Sequence, residues 1–168
     1  MNAARNAIIK KHVNQEWKNT WLTSNENTRK LRNIHNRPNT VNGAKLYQTI
    51  RKRKHVTWAA RLRTGHCLLN ARLHRIGIAP DPMCECGEGK ETVEHYLLMC
   101  GKYDRERYIL RRKAGIEGMR MGKLLGDPEL IKHTIEFMED TGRFKILKGT
   151  QDANLMEDKR LGHNGMKE

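Results

Sequence analysis

Apolar positions recur at helical spacing through most of the chain. Ile9, Val13, Trp17 and Trp21 stand at i, i+4, i+8 and i+12. That spacing predicts an amphipathic helix over 3–22 which docks its apolar stripe on a core. A stacking platform for bases is the competing reading of the two Trp residues. Residues 23–42 are polar and Asn-rich and contain Pro38, the pattern of a linker in which Leu31 and Ile34 anchor a helical turn. A short helix over 44–50 would carry Leu46, Tyr47 and Ile50. The longest candidate, 56–76, sets Ala59, Leu62, His66, Leu69 and Leu73 near one face, extended by Cys67 and Ile76. Gly65 interrupts it at a cost of about 1 kcal/mol relative to Ala. A break there, a close backbone approach or two joined helices are the expected consequences. Gly77 ends the segment.

Beyond residue 100 a helix over 102–114 is predicted with Tyr103, Arg107 and Leu110. Gly115, Gly118 and Gly122 then loosen the chain. Asp127, Pro128 and Glu129 form a start signal of N-cap, first helical position and first-turn acid. The helix over 128–139 turns Leu130, Ile131, Ile135, Phe137 and Met138 inward, and Thr141-Gly142 stops it. From 148 onward no periodicity persists, and disorder is the expectation.

The window from Pro82 to Cys100 carries the candidate chemistry. Cys84, Cys86, His95 and Cys100 form C-x-C-x8-H-x4-C and include three of the four cysteines. A structural Zn²⁺ site takes four such ligands in a tetrahedron, and Cys3His is a standard set. Gly87 and Gly89 suit a sharp turn around an ion. Thr92 is a candidate N-cap for the segment 93–100, with Glu94 in its first turn. His95 and Cys100 are five residues apart, so they share a face only where the helix is loosened or tightened. Cys100 is therefore expected at or just past the helix end. A Cys84–Cys86 disulfide would close an unusually small ring, and pairing either with Cys100 would leave an odd thiol. The first residues contain no apolar run of secretory type, so no secretory signal argues for an oxidising compartment. Buried cysteines without a metal are the other reading, for which a polar Gly-rich turn is a poor setting.

Charge sharpens the picture. The 168 residues carry a net charge of +14. Residues 1–80 hold 17 Lys/Arg against Glu16 and Glu26, whereas 81–168 hold 16 Lys/Arg against 17 Asp/Glu. The basic half is the footprint expected of a polyanion binder, RNA or DNA before any membrane surface or small-molecule substrate. Arg51, Lys52, Arg53 and Lys54 form the densest run, and Arg61, Arg63, Arg72 and Arg75 would decorate the exposed sides of the 56–76 segment. These eight are the candidate nucleic-acid contacts. Tyr96 is a further side chain that the cysteine unit would offer to bases. The chain has no run of about 20 apolar residues, the length of a membrane span.

Several strings resemble a known family. They are Leu62-Arg63-Thr64-Gly65-His66, Leu73-His74-Arg75-Ile76-Gly77-Ile78, Cys84-x-Cys86-Gly87 with Glu91-Thr92-Val93-Glu94-His95, and Leu124-Leu125-Gly126-Asp127-Pro128. Together they resemble the C-terminal end of fungal non-LTR (LINE-type) retrotransposon polyproteins, downstream of reverse transcriptase and RNase H. The resemblance covers roughly 55–144. It implies a zinc-binding, nucleic-acid-holding terminal module with Cys84, Cys86, His95 and Cys100 as ligands. The run from Arg51 to Lys54 also has the pattern of a nuclear-import signal, and a nuclear location, with passage through the cytoplasm as a ribonucleoprotein, is the expectation. The ligand spacing differs from the C-x2-C-x4-H-x4-C knuckle of retroviral nucleocapsids.

The polymerase and RNase H chemistries lack their residues. Reverse transcriptase holds two Mg²⁺ ions with adjacent aspartates, and no two Asp are adjacent here. RNase H needs clustered carboxylates on a sheet, and residues 1–80 hold two acids and no convincing strand. Cys67 with His66 or His74 as a nucleophile pair, or a catalytic zinc with an open position, are the candidates for any other enzyme. The expectation is thus a non-enzymatic, mainly α protein: a basic helical arm and linker (1–54), a helical CCHC module (55–144) and a disordered tail (145–168). The alternative is a reverse transcriptase or RNase H fragment, or an inactive transposon remnant.

Overall fold

A computed structural model describes residues 2–23, 31–32, 34 and 45–144. The predicted tail and most of the predicted linker lie outside the described residues. Besides helical residues at 31–32, 34 and 45–48, the described residues form α1 (Asn2–Thr23), α2 (Arg53–Thr64), α3 (Asn70–Arg75), α4 (Asp104–Ala114), α5 (Met121–Gly126) and α6 (Leu130–Thr141). A hairpin bridged antiparallel at Met83 and Lys90, a π-helical turn (His95–Met99) and a 3-10 turn (Gly101–Tyr103) lie between α3 and α4. Among the described residues there is no sheet, in keeping with the mainly helical expectation. None of the described helices is long and apolar enough to cross a membrane.

The core is built on α6, which packs against α4, α5 and α2. Ile131, Ile135, Phe137 and Met138 are buried on it, as its spacing predicts, whereas Leu130 is only half-buried. Its start follows the sequence signal with a small offset. The Asp127 Oδ1 accepts the Glu129 N–H at 2.9 Å and its carbonyl accepts the Ile131 N–H at 3.0 Å. Asp127 therefore caps the turn, while the helix proper begins at Leu130, a difference within the usual uncertainty of helix ends. Tyr96 joins this core from the cysteine window. Its ring meets Tyr103 edge-on at 5.3 Å, Phe137 at 5.2 Å and Phe144 at 5.6 Å. Its hydroxyl lies 2.6 Å from Thr141 Oγ1.

The 56–76 segment is two helices, as Gly65 signals. Gly65 takes φ 71° at the end of α2, a left-handed conformation that costs glycine least. His66 and Cys67 fall in the link that follows, His66 exposed and Cys67 buried. Residues 45–48 are helical and place Leu46 and Ile50 in the core. Ile34 packs against the same core.

Three expectations are corrected. The α1 helix forms, but its stripe does not dock: Ile9, Val13 and Trp17 are 50%, 54% and 46% exposed. Ile8 and Leu22 on other faces are exposed as well, so the apolar side chains are not gathered onto one buried face. Arg63, expected at the surface, is buried; its Nη1 donates to the Leu125 carbonyl and its guanidinium lies 5.7 Å from the Tyr47 ring centre. Finally, α5 occupies a glycine-interrupted stretch that carried no helix prediction. Leu124 and Leu125 are fully buried there, and Thr134 Oγ1 donates to the Leu124 carbonyl at 2.9 Å. Tertiary packing, more than local propensity, stabilises so short a helix.

These positions separate in a stability measurement. Leu124→Ala should cost about 2–5 kcal/mol in denaturant unfolding, whereas Ile9→Ala on the exposed arm should stay within about 0.5 kcal/mol of the parent.

Candidate metal centre

The hairpin that carries Cys84 and Cys86 is closed by backbone bonds. Cys84 N–H donates to Gly89 O at 2.7 Å, Gly87 N–H to Cys84 O at 2.9 Å and Glu91 N–H to Pro82 O at 2.9 Å. Gly87 has φ 80°, the left-handed value that favours glycine at such a turn. Glu88 N–H lies 3.5 Å from Cys86 Sγ, a donor aimed at the sulfur. This loop holds both thiols toward the following helical segment.

That segment begins where the sequence signal puts it. Thr92 Oγ1 accepts the His95 N–H at 3.1 Å, and the Thr92 carbonyl accepts the Tyr96 N–H at 2.9 Å. The helix then widens. Cys100 N–H donates to the His95 carbonyl at 2.7 Å, an i→i+5 bond that defines a π turn. The loosened turn brings residues five apart onto one side, and Cys100 stands just past its end.

The four predicted ligands come together. One donor atom from each of Cys84, Cys86, His95 and Cys100 lies within 4.8 Å of all the others. Cys84 and Cys100 sulfurs are 3.6 Å apart, and Cys86 Sγ is 3.2 Å from His95 Nε2. All four cysteines of the chain are free thiols. A sulfur separation of 3.6 Å is far from a disulfide bond. Tetrahedral zinc with Zn–S near 2.3 Å and Zn–N near 2.0 Å sets donors roughly 3.5–3.8 Å apart. The donor set is of the right kind, and with two separations of 3.6 and 3.2 Å it is compact enough that the cluster could hold a metal ion. His95, Cys84 and Cys100 are buried and Cys86 half-buried. Burial pushes the Cys84 thiol upward and the Cys100 thiol up to about 12. These two thiols resist ionisation without a cation, so metal entry would displace their protons and weaken as pH falls.

Residues around the ligands fix the geometry, and most were not singled out from sequence. Arg107, buried on α4, donates from Nε to Leu97 O at 3.1 Å and from Nη2 to Cys100 O at 2.5 Å. Its Nη1 donates to Asp104 Oδ1 at 2.5 Å. One guanidinium thus caps carbonyls at the end of the π turn, including that of a ligand. Its sequence signal was an Arg on the inward face marked by Tyr103 and Leu110. Glu88 Oε2 accepts the Gly101 N–H at 3.0 Å, tying the hairpin tip to the residue after Cys100. Glu91, 3% exposed, receives Arg143 through Nε at 2.7 Å and Nη2 at 2.8 Å and accepts the Asn70 N–H at 2.6 Å. The hydrogen bonds and ion pair with Glu91 raise Arg143 above its ordinary value. Glu91 so links the hairpin base, α3 and the segment after α6. No local pattern marks such a pair.

The candidate nucleic-acid contacts are divided by the fold. Arg51, Lys52, Arg53, Lys54, Arg61 and Arg75 are exposed, and Arg72 is half-buried. Lys54 is partly engaged, 3.1 Å from Glu139 and 5.3 Å from the Trp58 ring centre. Arg63 points inward, as described. Tyr96 is fully buried and is a core residue, removed from any base.

The fold and cluster define a small helical domain with a Cys3His site able to hold a metal ion. A stretch of 52 residues is 38% identical to the "Retrovirus-related Pol polyprotein from type-1 retrotransposable element R1 2" of Nasonia vitripennis. The match covers 31% of this chain and 13% of that polyprotein, a distant and partial similarity to a non-LTR retrotransposon Pol protein. No family model matches the chain, and no solved structure matches it.

Arg107→Met should release the Leu97 and Cys100 carbonyls while leaving all four donors in place. Metal affinity, measured by competition with a chromophoric chelator, should fall about 10–100-fold. Unchanged affinity would remove Arg107 from the site's support.

Proposed function

We propose that this chain is a zinc-stabilised nucleic-acid-binding module from the C-terminal part of a fungal non-LTR retrotransposon polyprotein. The observation that carries the reading is the convergence of Cys84, Cys86, His95 and Cys100 within 4.8 Å. Three thiols and one imidazole select zinc over hard cations. Four protein ligands leave no coordination position for water or substrate, which favours a structural site over a catalytic one. When bound, the metal supplies cross-linking of the hairpin to the π turn. The chain's own residues do the rest: Arg107 and Glu88 orient the segment, and Tyr96 anchors it to the core.

Nucleic acid is the partner that the charge distribution favours. The exposed run from Arg51 to Lys54, with Arg61, Arg72 and Arg75, offers cations to phosphates without a recognisable base-reading element. Binding of RNA or DNA would then be backbone-directed and steeply salt-dependent. The chain by itself carries no polymerase or RNase H chemistry in this reading, and those activities belong to the parent polyprotein. Support is the absence of adjacent aspartates from the sequence. The nucleus is the matching location.

Fluorescence anisotropy against labelled RNA and DNA over a salt series tests this. The wild-type chain should bind at low salt and weaken linearly on a log–log plot. Changing Arg51, Lys52 and Arg53 to Gln should reduce the magnitude of that slope by roughly two to three. Failure of the wild-type chain to bind any nucleic acid at low salt would overturn the reading.

A further inference from the structure

The α1 helix exposes an aromatic ring among unneutralised cations. Trp17 is 46% exposed, as are Val13 at 54% and Ile9 at 50%. Lys10, Lys11 and Lys18 are exposed, and among the described residues no ion pair neutralises them. With 3.6 residues per turn, Lys10 and Trp17 lie about 20° apart around the helix axis, on one face. Trp21 follows about 40° further round and is half-buried. Lys10 thus shares the side of the two aromatic residues, while Lys18 and Lys11 flank it about 100° and 120° round from Trp17.

A lipid-surface helix has a different layout. It needs apolar residues on one face and cations on the other. Here Ile8 and Leu22 fall about 180° and 140° from Trp17, and Lys10 lies within the aromatic face. A second copy of the same helix would set like charges against each other. A ligand with accessible flat π faces and a regular negative backbone satisfies both the ring and the lysines. Single-stranded nucleic acid has both, whereas a duplex covers its base faces by stacking.

We infer that α1 is a single-strand binding platform, with Trp17 stacking on a base while Lys10 and Lys18 meet flanking phosphates. This rests on the nucleic-acid reading above and names the ligand class for a surface apart from the cations at 51–75. It gives the chain a means of preferring an unpaired strand.

The test uses the full zinc-loaded chain, an unstructured RNA strand of about 16 nucleotides, near the upper site size of single-strand binders, and that strand annealed to its complement. Trp17→Ala should lower single-strand affinity about five- to hundred-fold and leave duplex affinity unchanged. Trp17→Phe, which keeps a π face, should retain most single-strand binding. Equal single-strand affinity for Trp17→Ala and the parent would overturn the inference while leaving the proposed function intact. So would equal losses on both ligands. Binding of the parent to neither ligand would end both readings. Association with phosphatidylserine vesicles, with a Trp17-dependent blue shift and no single-strand effect, would reassign the face to membranes and overturn the inference.

Discussion

The hydrogen bond from Cys100 N–H to the His95 carbonyl is the constraint on which the site depends. In an α-helix, residues five apart diverge around the axis, and an imidazole and a thiol so spaced do not meet at one ion. The i→i+5 bond at 2.7 Å widens the turn and returns them to the same side. A π turn is a strained choice for an isolated peptide and needs outside support. Arg107 supplies it by donating to Leu97 and Cys100 carbonyls, and Tyr96 supplies it through its ring contacts with Phe137, Tyr103 and Phe144. The site and the core are thus one construction, held by consecutive residues: His95 faces the thiols and Tyr96 faces the helices.

The same coupling explains how buried charges are arranged. Arg63, Arg107 and Glu91 are each less than about a tenth exposed, and ionised groups persist there only with partners. Arg63 and Arg107 donate to backbone carbonyls at element ends, whereas Glu91 takes Arg143 and the Asn70 N–H. Each joins segments that are distant in the sequence. A small apolar core with nine aromatic residues in the whole chain gains definition from such cross-links, to which a metal would add the largest.

Much of the site was legible in the sequence because its rules are local. Ligand spacing, the Thr92 cap and the Gly-rich turn each depend on neighbours within a few residues, and all three appear at the expected positions. Gly65 likewise marked the junction of two helices. What escaped depends on partners far along the chain. Arg63 looked like surface charge because nothing nearby identifies the Leu125 carbonyl as its acceptor. The helix α5 was obscured by glycines whose cost is offset by Leu124 and Leu125 burial against α6. The stripe on α1 had helical period but no docking surface, since periodicity establishes a face and not what covers it.

The central claim is that a metal ion clamps the hairpin to the π turn and thereby orders the domain. A zinc titration of metal-free chain, followed by near-UV circular dichroism of the buried Tyr96 and Tyr103, tests it most directly. A sharp rise in tyrosine signal that saturates at a single equivalent is expected, reversed by chelator. A spectrum already native without metal and unmoved by zinc would contradict the claim.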